Sequence, residues 1–94
     1  MKAKWNEQVV ADSNQTVELG GYQYFPRTAV KMELLKAAPK SADDSVCPDG
    51  VQFYDVVSGN KRSERAAWSY EKVTRPSMSK VDHLIGFWGD VKVS

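Results

Sequence analysis

Residues 51–70 read VQFYDVVSGNKRSERAAWSY, and this stretch decides the fold class. Val51–Val57 is rich in β-branched and aromatic residues, the composition that suits a pleated, half-buried surface. Ser58-Gly59-Asn60 carries the chemistry of a tight reversal, and the returning limb holds Ala66-Ala67-Trp68-Ser69-Tyr70. The pair reads as an antiparallel hairpin. Phe53 and Tyr54 are adjacent and so face opposite sides of it, whereas Trp68 and Tyr70 share a face.

Working outward, the same pattern of short extended runs between turns recurs. Thr16–Leu19 alternates apolar and polar residues, Gly20-Gly21 makes a turn, and Tyr22–Phe25 returns with Tyr22 and Tyr24 on one face. Pro26 then stops the ladder. A one-turn helix over Arg27–Val30 is predicted to lead into a strand through Val30, Met32 and Leu34. The four-residue spacing of Val30 and Leu34 supports a competing helix. AAPKSADDSVCPDG at 37–50 has no periodicity and reads as a loop. Ser79 and Asp82 have the spacing of a capping box, which predicts a short helix beginning near Ser79. Phe87-Trp88, Gly89-Asp90 and Val91-Lys92-Val93 predict a closing hairpin. Many short strands at this spacing give a mainly β protein: a small antiparallel sandwich, barrel or two-sheet fold with at most one or two short helices.

The 94 residues make one domain, residues 1–94, with 41% hydrophobic content. A chain of this size hides roughly 60–70% of its unfolded surface, enough to dispense with a staple. Thirteen basic against twelve acidic residues leave a net charge of +1. The basic residues are scattered among acids, which argues against a nucleic-acid partner. No apolar run approaches the ~18 residues of a membrane span, so no membrane partner is expected. The beginning, MKAKWNEQVV, lacks the apolar block of a secretory signal. One cysteine cannot form an internal disulfide, and a reducing compartment, the cytoplasm, is expected. The oligomeric state is not legible.

The chemistry-bearing residues are few. Zinc needs about four Cys or His ligands in close pairs, and this chain has only Cys47 and His83. No metal and no cofactor are expected. Cys47 as a nucleophile would require a base or cation to lower its pKa. Asp43, Asp44 and Asp49 nearby would raise it, and Pro48 with Gly50 fits a tight turn. A small half-apolar residue beside a turn is the simpler reading, and Cys47 stays as the one catalytic candidate. No glycine-rich phosphate loop accompanies Asp43-Asp44. The aromatic residues are more informative. Tyr24, Tyr54, Trp68 and Tyr70 lie on facing strands and are read either as core or as the wall of a stacking pocket near Cys47.

Trp5, Ala11-Asp12-Ser13, Tyr24-Phe25-Pro26, Val30, Cys47-Pro48 with Gly50, Phe53-Tyr54, Ala66-Ala67-Trp68-Ser69-Tyr70 and Phe87-Trp88 occur in an order that resembles the domain of unknown function 427 family. These are short bacterial proteins, sometimes labelled nucleotidyltransferase-like. The resemblance runs from about Lys4 to Val93. It implies a β-tent, or Mss4-like, fold: two antiparallel sheets meeting at an angle with a pocket between them. Relatives of that fold include B-type methionine sulfoxide reductases and zinc-bearing domains. The family's cysteine motif usually reads Cys-Pro-aromatic-Lys-Gly, whereas this chain has Cys47-Pro48-Asp49-Gly50. The leading expectation is a small-molecule-binding domain for a planar or nucleotide-like ligand. Tyr24, Cys47, Pro48, Tyr54, Trp68 and Tyr70 are the expected ligand contacts. A thiol enzyme using Cys47 and a protein-interaction module are the alternatives.

Overall fold

The computed structural model describes every residue, Met1–Ser94. Nine strands follow in chain order: β1 Lys2–Trp5, β2 Gln8–Asp12, β3 Val17–Leu19, β4 Tyr22–Phe25, β5 Leu35–Ala37, β6 Val51–Ser58, β7 Lys61–Tyr70, β8 Ile85–Phe87 and β9 Lys92–Val93. One α-helical turn, α1, spans Ala42–Ser45, and 3-10 segments cover Arg27–Ala29, Met32–Leu34 and Pro76–Val81. The strands form two antiparallel sheets, one of three strands in the order β2-β1-β9 and one of six in the order β3-β4-β8-β7-β6-β5. The protein is mainly β, as the sequence reads.

The β6–β7 hairpin is the spine of the larger sheet. It turns at Gly59, whose φ of 61° is open to glycine at little cost. Its ladder is interrupted between Tyr54↔Ala67 and Val56↔Ser63, so Asp55 stands opposite Glu64, Arg65 and Ala66. Asp55 holds this bulge by accepting from the Arg65 amide at 2.9 Å, with Arg65 in the left-handed region at φ 55°. A bulge of this kind bends the strand and re-aims the side chain it carries.

The main core lies between the sheets. Ala3, Trp5, Val10 and Ala11 from the small sheet meet Phe25, Val56, Ala67, Ile85 and Phe87 from the large one. Phe25, Ile85, Val10 and Val56 are fully buried, and each such side chain contributes about 1.5–3 kcal/mol. An isolated bridge between Ala11 of β2 and Val30 ties the small sheet to the segment between β4 and β5.

Several local expectations give way. Residues 30–34 are neither strand nor long helix: Val30 makes only that bridge, Met32–Leu34 is a 3-10 turn, and the strand begins at Leu35. The short helix near Ser79 starts earlier, at Pro76, because proline is preset for the first helical position. The Ser79 hydroxyl there donates to the Pro76 carbonyl. The capping box occurs instead at Ser41 and Asp44, inside the stretch read as loop. Phe87 and Lys92 do not close a hairpin. β8 already has β4 and β7 on its two sides, so the chain crosses at Gly89 and β9 pairs with β1. No helix is long and apolar enough to cross a membrane.

Candidate functional site

Alternation along β7 assigns its residues to two faces. Ala67 points into the core between the sheets, and Trp68 and Tyr70 point to the opposite face of the large sheet. The registers align Val17, Tyr24, Gly86, Trp68 and Phe53 in one row across five strands on that outer face. Gly86 is the gap in the row. A Cβ there would lie 2.8 Å from Trp68 Cε2 and Cζ2 and 3.1 Å from Tyr24 Cε2, so the rings occupy the space that a side chain would need.

Trp68 is the hub of the layer. Its ring meets Tyr22 edge-on at 5.0 Å, Trp88 at 5.7 Å, Tyr24 at 5.8 Å and Phe53 at 6.4 Å between centroids. The first three are edge-on pairs, which set the negative ring face against the positive ring edge, and Phe53 is tilted at 45°. Val81 and Met78 of the Pro76–Val81 segment pack over one end. The other end stays open, with Tyr22 and Trp88 exposed. Between the rings is a hollow of about 170 Å³ lined by Tyr22, Phe53, Trp68, Tyr70 and Trp88, all aromatic. A larger groove of about 570 Å³ lies elsewhere, among Glu33, Lys36 and the β6–β7 turn. It is mostly polar and brings no recognition group to one point, so the aromatic hollow is the better candidate.

The rim is rigid. The Arg65 guanidinium lies over the Phe53 ring at 4.0 Å from its centroid. Both its terminal nitrogens donate to Asp44, at 3.0 and 2.8 Å. These hydrogen bonds, helped by the Ser41 amide, hold the Asp44 carboxyl well below the usual carboxylate range. The Trp88 indole donates to the Arg65 carbonyl at 2.6 Å, so the bulge that aims Arg65 also anchors Trp88.

Polar groups within the aromatic layer are poorly satisfied. Trp68 Nε1 is the one buried side-chain nitrogen or oxygen without a hydrogen-bond partner. Leaving a buried donor unpaired costs about 1–3 kcal/mol. Burial pushes the Tyr24 hydroxyl up to about 12, with Trp68 and Tyr70 acting on it as hydrogen-bonding neighbours. Burial likewise raises Tyr70, with Tyr24 and Trp68 as neighbours. Tyr24, Tyr70 and Trp68 are therefore polar neighbours within the layer.

Two of the six expected contacts, Trp68 and Tyr70, line the hollow, and Tyr24 is buried behind it against Trp68. Trp68 is only 5% exposed, so it is a core residue as well as a wall. Cys47 is half-buried and packs at the border of the layer, and its thiol makes no hydrogen bond. Pro48 is exposed and lines a separate polar cleft with Cys47, Lys40 and Lys72. Tyr54 lies on the other face, where its hydroxyl donates to Glu71 at 2.8 Å beside the Arg27–Glu71 ion pair. His83 is exposed and bonded to its neighbour Asp82. No three acidic, His or Cys side chains are grouped to hold a metal ion. The sequence reading missed Tyr22, Phe53 and Trp88 as walls. Tyr22 shared the Tyr24 face and was within reach of that reasoning, whereas Trp88 lies beyond the end of β8, where alternation gives no signal.

With this geometry in view, comparison with protein families is specific. Residues 1–94, the whole chain, match the family described as domain of unknown function (DUF427), and the protein belongs to that family. The family's short name is that of a nucleotidyltransferase-type group. No curated protein matches the chain.

Proposed function

We propose that the protein is a small-molecule-binding domain without catalytic machinery, and that its hollow takes one planar ring, as a free heterocycle or as the base of a nucleotide-like molecule. The observation that carries the reading is the hollow itself: five aromatic walls around about 170 Å³. An engineered apolar cavity of about 150 Å³ holds a benzene ring, so the space suits one ring system. Drug-sized ligands occupy about 300–1,000 Å³, so anything larger than a ring would leave its remainder in solvent past Tyr22 and Trp88. The paired sheets support a β-tent, Mss4-like assignment. The single cysteine supports a cytoplasmic setting. The thiol-enzyme reading has less behind it, because the Cys47 thiol makes no hydrogen bond and lies outside the hollow.

A thermal-shift panel of purines, pyrimidines, their nucleosides and other small heterocycles tests the proposal. A ligand at tenfold its Kd stabilises the native state by about 1.4 kcal/mol. For a domain of this size that is a rise of roughly 5–10 °C in Tm. Trp88→Ala should remove the shift while the protein still folds. If no ring compound stabilises the protein at millimolar concentration, the proposal falls.

A further inference from the structure

All five walls of the hollow are aromatic, which is more than the fit to a neutral ring requires. Val17, Leu19, Met78 and Leu84 pack on the same layer, yet none of them lines the hollow. Neither tryptophan wall offers a donor to a ligand. The Trp68 indole N–H is buried away from solvent, and the Trp88 N–H is spent on the Arg65 carbonyl at 2.6 Å. Two tryptophans, two tyrosines and a phenylalanine present π-electron density instead, with the Tyr22 and Trp88 rings inclined at 87° and 75° to Trp68. Ring quadrupoles attract a cation, and tryptophan does so most strongly. The layer already holds one cation in this way, the Arg65 guanidinium over Phe53 at 4.0 Å.

The charges beside the hollow point the same way. A groove lined by Ser63, Glu64, Arg65 and Asp90 adjoins it and shares Trp88 with it. Glu64 and Asp90 are exposed and belong to no ion pair. Arg65, the one cation of that groove, is neutralised by its two hydrogen bonds to Asp44. We infer that the hollow selects a planar heteroaromatic cation, a ring with a fixed positive charge on an alkylated nitrogen, over a neutral ring of the same size. This rests on the proposed ring-binding function and names its ligand class. Such a cation needs no hydrogen-bond partner, so a wall without free donors costs it nothing, and it gains from each ring face it meets. A compact quaternary ammonium ion is drawn by the same faces but has no flat surface to stack, and the test below separates the two.

N-methylpyridinium and 4-methylpyridine are the probes. They share a six-membered ring and one methyl group, and they differ in charge at pH 8, where 4-methylpyridine is neutral. The protein labelled with nitrogen-15 is titrated with each, and the indole N–H resonances of its three tryptophans are followed. The expected result is that N-methylpyridinium binds about tenfold tighter, the size of a partly desolvated contact between a cation and aromatic faces. Its methyl protons should move upfield between the rings as the Trp88 resonance shifts. Tyr22→Leu, at an exposed position, keeps an apolar wall and removes a ring. It should weaken N-methylpyridinium several-fold and leave 4-methylpyridine within about twofold. Equal affinity for the two probes, or equal losses in Tyr22→Leu, would overturn the selection for charge and leave ring binding intact. Tetramethylammonium binding more tightly than N-methylpyridinium would overturn the planar class in favour of a compact ion. Failure of both ring probes to bind would overturn the inference and ring binding together.

Discussion

Replacing Trp68 by alanine tests whether the aromatic layer holds the fold together. An aromatic side chain of this class removes roughly 150–250 Å² from water, worth about 4–6 kcal/mol at ~25 cal/mol/Å². The unpaired Nε1 returns about 1–3 kcal/mol when it is deleted, because its desolvation is no longer borne by the folded state. The net loss expected for Trp68→Ala is therefore centred near ~3 kcal/mol, at the lower end of the range of about 3–5 kcal/mol for large aromatic truncations. That is a large share of the ~5–15 kcal/mol available to a small domain. Trp68→Phe keeps a ring against Tyr22, Tyr24 and Phe53 and discards the unpaired donor, so its loss should be about 1 kcal/mol. Urea melts followed by far-UV circular dichroism measure both. A Trp68→Ala protein within about 1 kcal/mol of wild type, or a Phe variant as damaged as the Ala variant, would refute the reasoning.

Gly86→Ala places a methyl 2.8 Å from the Trp68 ring, and overpacking of that kind should cost about 1–3 kcal/mol in a denaturant melt. Gly21→Ala, with nothing near its Cβ, reports the backbone cost of a positive φ without any ring contact, and serves as the comparison. Asp44 has its pKa depressed by Arg65, so its contribution is full above the unfolded value of about 3.9 and is lost as the pH falls below it. Denaturant midpoints taken from pH 7 down to 2 should drop through that window, and Asp44→Asn should start lower and flatten the drop. Tyr24 is raised, so the unfolded chain releases this proton near pH 10 while the native state holds it to about 12, and stability should fall with rising pH across that interval. Phenolate absorbance should rise late for Tyr24, Tyr54 and Tyr70 while the protein stays folded, and an early full rise without unfolding would contradict the burial of these hydroxyls.

The parts of the fold legible in the sequence were those in which local pattern and tertiary packing agree. Val51–Ser58 and Lys61–Tyr70 carry β-formers on either side of a glycine turn, so the spine of the large sheet could be read directly. The β1–β2 hairpin could not. Its turn places Asn6 and Glu7 at φ 52° and 64°, and Glu7 is a residue that no turn rule puts in that region. The partner of the final strand was illegible for a different reason. Which sheet receives Lys92–Val93 depends on whether β8 has a free side, and that is settled by β4 and β7, distant in sequence. The candidate site shows the same division. Trp68 and Tyr70 follow from period-two alternation. Choosing Phe53 over Tyr54 as the wall required the register Phe53↔Trp68, which alternation does not supply. Arg65 reaches Phe53 only because a bulge turns it out of the ladder, and the sequence SERA does not announce one.

The central claim is that a planar ring binds on the outer face of the large sheet, and chemical-shift mapping with saturating benzimidazole tests it most directly. The account expects the side-chain resonances of Tyr22, Phe53, Trp68, Tyr70 and Trp88 to move together, while Phe25 and Phe87 between the sheets and Tyr54 beside Glu71 stay in place. Shifts centred instead on the cleft of Lys40, Cys47 and Lys72, or no shifts at saturating concentration, would contradict it.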